Sequence, residues 1–197
     1  QVNANVTIPY TLNQCKITGR IDNFRKAAKQ IPADKSTSFT FDDTDLYKVI
    51  EGASYSLQTQ KNPQLESYLD SLITIIGSAQ EADGYLYTFR TMPIQKPHEW
   101  LGAKRWEKEE DLSHELYNAG HLFESAVAHY QATGKKNLLN IAIRNADLLV
   151  QTFGWGKEER FPGHQIVETG LTKLYRVTGK KAYLDLAKFF LDLRGKE

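Results

Sequence analysis

The residues best equipped for chemistry lie near the middle of the chain. His114, Tyr117, His121 and Glu124 follow one another at steps of three and four. On a helix that spacing puts all four side chains on one face. His114-Glu115 suggests a zinc-protease helix, but that motif needs a second histidine four residues on, and position 118 is Asn. His114 and His121 are seven residues apart, about 10 Å along a helix, too far to share one ion. The spacing therefore excludes the metalloprotease reading. A polar stripe survives, bordered by Leu116, Ala119, Phe123 and Val127. It reads either as the lining of a partly buried cleft or as a solvated or internally satisfied polar face.

A second element repeats this chemistry. Pro162-Gly163-His164 precedes Glu168, as Gly120-His121 precedes Glu124. A lone histidine at a helix start reads as a local cap, whereas two Gly-His pairs suggest one shared site. Asp43, at another predicted helix start, is a candidate third contributor. Imidazoles, carboxylates and aromatic rings around a concavity suit a carbohydrate, whose hydroxyls take paired hydrogen bonds and whose C–H faces stack on rings. Glycoside hydrolysis needs an acid/base and a second base or nucleophile, and the sequence fixes no such pair. It also fixes no metal site.

The elements that must position these residues are helices. Val6 to Lys29 reads as helical with a break at Gly19, and residues 30–41 read as a loop. Asp42-Asp43-Thr44-Asp45 offers capping side chains for a helix carrying Leu46, Val49, Ile50, Ala53 and Leu57. Asn62-Pro63 opens the next helix. Residues 77–110, broken by Gly and Pro, scatter Tyr85, Tyr87, Phe89, Trp100 and Trp106. That segment reads as a long structured loop that is functional or that caps the core. Helical spacing resumes over 111–129 and continues over 137–153, 164–177 and 181–193.

Tyr130-Gln131-Ala132-Thr133-Gly134-Lys135-Lys136 recurs as Tyr175-Arg176-Val177-Thr178-Gly179-Lys180-Lys181, with Tyr55 and Lys61 as a worn earlier copy. Two helices per repeat mean stacked helical hairpins. The fold class expected is all-α, with hairpins near 43–77, 111–153 and 164–194 arranged as an open solenoid or as about half of a closed (α/α)6 toroid. Composition agrees with a folded domain: 197 residues, 41% hydrophobic, 25% charged, net charge +1. That charge balance gives no support for nucleic-acid or membrane-surface binding. No apolar run reaches the roughly 18–20 residues of a membrane span. The single cysteine, Cys15, excludes a cysteine-based zinc cage within the chain.

Several motifs together resemble a known family. Val6-Thr7-Ile8-Pro9-Tyr10 comes first, then Gly19-Arg20-Ile21-Asp22-Asn23-Phe24 and Phe41-Asp42-Asp43-Thr44-Asp45-Leu46-Tyr47-Lys48. Asp83-Gly84-Tyr85-Leu86, His114-Glu115-Leu116-Tyr117 and Gly120-His121-Leu122 follow. Gly163-His164-Gln165 and Leu174-Tyr175-Arg176-Val177-Thr178-Gly179 complete the set. In combination they resemble glycoside hydrolase family 127, the β-L-arabinofuranosidase-like enzymes, over essentially the whole chain.

The resemblance implies an (α/α)6 catalytic domain of which residues 1–197 are a part, lacking its start and its second half. It implies retaining hydrolysis of β-L-arabinofuranosides or related plant cell-wall sugars. It implies an oligosaccharide substrate and, as a partner, the remainder of the same catalytic domain. It also implies a cysteine nucleophile on a zinc held by three cysteines and a glutamate, with a glutamate as acid/base, all beyond residue 197. Zinc is thus expected in the full-length enzyme, without ligands in this chain, and the chain alone is expected to be inactive. His121 and His164 correspond to pocket histidines, with Asp43, His114 and Tyr117 as further substrate-binding candidates. The resemblance implies a bacterial enzyme of periplasm or cytoplasm, and the sequence does not choose between them. A helical-repeat binding scaffold is the competing reading, as is another toroid enzyme such as an unsaturated-glucuronide hydrolase or a sugar epimerase.

Overall fold

The computed structural model describes residues 2–196, whose regular elements are all helices, with one isolated β-bridge between Phe153 and Glu158. A π-helical turn, Asn3–Thr7, leads into α1 (Ile8–Ile17), and Gly19, at φ +83°, breaks it from α2 (Arg20–Ala27). Three longer hairpins follow. They are α3 (Asp43–Thr59) with α4 (Pro63–Ser78), α6 (Glu115–Thr133) with α7 (Asn137–Thr152), and α8 (Val167–Thr178) with α9 (Lys181–Arg194). The four-residue α5 (Thr88–Thr91) sits in the long segment before α6. No helix among the described residues is long and apolar enough to cross a membrane.

Packing sorts the helices into two layers. α1, α3, α6 and α8 pack in sequence as one layer, and α2, α4, α7 and α9 as the other. This is the arrangement of half of an α/α toroid, with α1 and α2 extending both layers by one further pair. The core between the layers holds Leu46, Ile50, Leu116, Phe123 and Leu171 from one side and Ile76, Leu138, Leu149 and Phe190 from the other, all fully buried.

The recurring heptapeptide is a hairpin turn. Gly134 and Gly179 both adopt φ +72° and donate their N–H to the carbonyls of Tyr130 and Tyr175, each at 2.8 Å. A left-handed residue at this position suits glycine, which has no Cβ to clash. Thr133 and Thr178 each bond back to the carbonyl four residues earlier at 2.7 Å and accept the N–H of the residue two further on. The lysines then reach the previous hairpin: Lys135 pairs with Asp70 of α4 and Lys180 with Asp147 of α7. The repeat thus encodes both a turn and a clamp between outer helices. The earlier copy does not share this geometry. Gln60 is extended, and the chain restarts on the Asn62 side chain, which accepts the Leu65 N–H.

Two local expectations are corrected. The helix expected from Asp111 begins at Glu115, because Ser113 and Leu112 donate to the Lys108 carbonyl and His114 turns to φ +59°. The acidic run at 42–45 does not cap α3 with its side chains. Asp42 instead accepts the Phe39 N–H and pairs with Arg20, and Asp43 turns inward to Thr88. Arg20 also binds Asp45, so the Gly19–Phe24 and Phe41–Lys48 motifs are tied by ion pairs.

The aromatic segment is largely core: Tyr85, Tyr87, Phe89 and Trp106 are buried. Gly84, at φ +98°, lies where a Cβ would stand 2.3 Å from the Arg144 carbonyl, so only glycine lets this segment close on α7.

Candidate functional site

The tight turns at Gln60, Gly134 and Gly179 return each hairpin at one end of the molecule. The loops that precede α3, α6 and α8 therefore gather at the other end. There His114, Tyr117, His121 and His164 meet. The His114 and His164 rings lie 5.2 Å apart between centroids, and Tyr117 stands 5.9 Å from His114, 5.3 Å from His164 and 4.7 Å from His121. His114, Tyr117 and His121 are half-buried and His164 is exposed, so the cluster is anchored but open on one side.

Both Gly-His pairs have a steric cause. A Cβ on Gly120 would come within 2.5 to 2.8 Å of Ile166 and the Val167 nitrogen. One on Gly163 would come within 2.6 Å of the Glu110 carbonyl, and Gly163 donates its N–H to Glu109 at 3.2 Å. Gly170 in turn fits against the Gly120 carbonyl, 2.8 Å from where its Cβ would be. These glycines let α6, α8 and the loop before α8 approach closely. That approach carries His164, which lies in a turn ahead of α8 rather than on the helix, to Tyr117.

His114 also departs from the simple stripe. It occupies the residue before α6 with positive φ, a conformation uncommon for a non-glycine residue. Its Nδ1 lies 2.5 Å from the Leu112 carbonyl, so the neutral ring carries its proton there and leaves Nε2 as an acceptor. Burial, then His164, lowers the His114 pKa. Burial lowers His121 to about 4, reinforced by Lys48 and Lys173. His121 is therefore neutral at physiological pH. The Lys48 ammonium donates to the Tyr117 hydroxyl at 3.0 Å.

Asp43 does not join the cluster. Its side chain is fully buried, and its two oxygens accept the Thr88 N–H and hydroxyl at 2.9 and 2.6 Å. Burial raises its pKa to about 7. Its place is a brace between α3 and α5.

Beside His121 the structure adds residues that sequence reasoning missed. Glu51, His121 and Glu124 each offer a ligand atom within 4.8 Å of the others, a group that could hold a metal ion. Lys173 of α8 already lies there, paired with Glu124 and 3.7 Å from Glu51. Burial, then Glu124, raises the pKa of Glu51. A signal for Glu51 existed: Lys48, Glu51 and Tyr55 form a polar stripe on α3 like that on α6, and Tyr55 donates to Glu51 at 3.0 Å.

The described residues do not fit a cysteine-held zinc. Cys15, the sole cysteine, is buried in α1, and burial followed by the charge of Asp45 pushes its thiol up to about 11.

Comparison with known proteins gives the same reading along the whole chain. A family model described as the β-L-arabinofuranosidase GH127 catalytic domain matches residues 1–197. A "non-reducing end beta-L-arabinofuranosidase" of Bifidobacterium longum subsp. longum is 37% identical over 180 residues, covering 90% of this chain and 26% of that protein. Among solved structures, a GH127 β-arabinofuranosidase superposes with a TM-score of 0.93 at 55% identity, covering 98% of this chain and 31% of the other. A GH127 β-L-arabinofuranosidase from Geobacillus stearothermophilus T6 gives 0.91 at 38% identity, covering 100% and 31%. The chain thus spans between a quarter and a third of the length of these relatives. With a family model matched from end to end, the chain belongs to the GH127 β-L-arabinofuranosidase catalytic-domain family.

Proposed function

We propose that this chain is part of the (α/α)6 catalytic domain of a retaining glycoside hydrolase acting on β-L-arabinofuranosides or related plant cell-wall sugars. On this reading His114, Tyr117, His121 and His164 bind the non-reducing-end sugar. The observation that carries it is the convergence of these four residues on one open cluster, from positions up to fifty residues apart. A neutral imidazole offers one donor and one acceptor, which matches a hydroxyl group that both donates and accepts. His121 is kept neutral by burial and by the flanking ammonium groups. The Tyr117 ring supplies the flat surface between the three histidines. Two readings lose ground: a general binding scaffold has no need of this convergence, and the family match argues against another toroid enzyme.

The nucleophile, the acid/base and the zinc expected for the family are assigned to parts of the polypeptide other than residues 1–197, and no catalytic step is assigned to this chain. Lys173 is read as the cation that Glu51 and Glu124 hold, so that this acidic pair orders α3, α6 and α8 around His121. The direct test is calorimetric titration of the chain with methyl β-L-arabinofuranoside. Binding is expected, with His121→Ala and His164→Ala each weakening it at least tenfold while the helical circular dichroism is unchanged. Equal binding by wild type and both variants, or none by the folded wild type, would overturn the assignment.

A further inference from the structure

An aromatic track leads outward from the histidine cluster along the rim loops. Phe41 meets His114 edge-on at 5.3 Å and Tyr117 at 6.5 Å. Phe39 stacks on Phe41 at 5.2 Å, nearly parallel, and Trp100 stands 6.5 Å from Phe39. His98 continues the track 5.3 Å beyond Trp100. Phe39 and Phe41 belong to the loop before α3, whereas His98 and Trp100 belong to the segment before α6, so two separate loops build one surface.

This surface differs from the buried aromatics nearby. Tyr85, Tyr87 and Phe89 are all but inaccessible, while Phe39 is 46% exposed although one of its faces lies on Phe41. The loops are fixed against each other by polar bonds around His98. The Trp100 N–H donates to His98 Nδ1 at 3.2 Å, which leaves the proton of the neutral ring on Nε2, 3.3 Å from the Ser38 carbonyl. The bond to Ser38 ties together the two loops that carry the rings, and Phe39 need not be exposed for that purpose.

We propose that Phe39 and Trp100 form an outer sugar subsite that holds the residue on the leaving-group side of the scissile bond. The inference rests on the assignment of the histidine cluster to the non-reducing-end sugar. A sugar seated there has its remaining chain directed outward, and the track is the aromatic surface continuous with the cluster. The ring face of an aromatic carries partial negative charge and attracts the polarised C–H face of a sugar, so exposed Phe39 and half-buried Trp100 suit a sugar unit.

The test compares two probes by calorimetry on the wild-type chain, Phe39→Leu and Trp100→Ala. The probes are methyl β-L-arabinofuranoside and a β-L-arabinofuranosyl disaccharide. Phe39→Leu keeps an apolar side chain and removes the ring face, so it separates stacking from loop packing. The wild type is expected to bind the disaccharide about tenfold more tightly than the methyl glycoside, the effect of a stacking contact worth about 1.4 kcal/mol. Both variants are expected to lose that preference and to bind the methyl glycoside within about twofold of wild type. A disaccharide preference that persists in both variants, or that the wild type lacks, would overturn the subsite and leave the inner site standing. Failure of the folded wild type to bind either probe would overturn both assignments.

Discussion

His114 and Glu115 are neighbours in sequence and belong to opposite kinds of surroundings. Glu115 turns into the core, where its oxygens accept from Tyr85 Oη at 2.5 Å, the Trp106 N–H at 2.9 Å and Ser113 Oγ at 2.8 Å, with Arg90 3.6 Å away. Burial and the charge of Glu115 push the neighbouring Glu109 carboxyl well above the usual range. The cluster reached by His114 is placed differently. His121 Nδ1 has no hydrogen-bond partner, and His164 is exposed. Glu115 has both carboxylate oxygens bonded by groups of the core and so holds structure, although Glu109 Oε1 and Arg90 Nε beside it lack hydrogen-bond partners, whereas the histidines keep ring nitrogens at an open side where a ligand can reach them.

The sharpest way to break this comparison is to cut the Glu115 network. Glu115→Ala strands several buried donors and is expected to cost about 4 kcal/mol, the range for removing one partner of a buried charged network. Thermal unfolding would show it as a drop of roughly 8–16 °C for a chain of this size. His164→Ala should leave the unfolding temperature almost unchanged. If the two variants unfold alike, the distinction between a structural and a ligand-facing network fails.

A smaller effect is expected at the helix contact that supports the cluster. Gly120→Ala must displace the Ile166–Val167 backbone, and is expected to cost about 3 kcal/mol. It should also weaken sugar binding, because His164 rides on the displaced loop. Gly134→Ala lies at φ +72° with open space around it and should cost only about 1 kcal/mol, from backbone strain alone and with no change in binding.

A further effect is a pH dependence. The folded His121 pKa, about 4, lies below its ordinary value of 6.5. Between these values the unfolded chain binds more protons, so stability is complete above pH 6.5 and declines as pH falls toward 4. Allowing for partial solvent screening, the loss is on the order of 2 kcal/mol. Asp43 titrates with the opposite sign, since its raised pKa favours the folded state as pH falls from about 7 toward its ordinary 3.8. The His121 contribution is therefore read as the difference in urea midpoint between wild type and His121→Phe across pH 4–7. A difference that does not change with pH would show that His121 titrates normally and is not desolvated.

Much of the helical framework was legible because its signals are local. Periodic apolar residues marked each long hairpin, and the repeated Tyr-x-x-Thr-Gly-Lys-Lys marked two turns of identical geometry. The start of α6 was misplaced because Asp111 to Ser113 keep helical spacing, while their N–H groups bond to the Lys108 carbonyl. Asp43 resembled a capping or pocket carboxylate, and only its contact with Thr88, forty-five residues away, made it a brace. Glu51 and Lys173 went unnoticed because charged residues on a helix normally face water. They meet at Glu124 only when three helices pack.

By itself the sequence determined the all-α class, the hairpin unit, the paired Gly-His elements and the family, since each depends on residue order and short-range spacing. The tertiary structure decided which polar residues share a site. It brought His164 to Tyr117 through glycine contacts, withdrew Asp43, and turned Glu115 away from His114. Those outcomes depend on backbone approach between segments distant in sequence, and no local pattern specifies that approach.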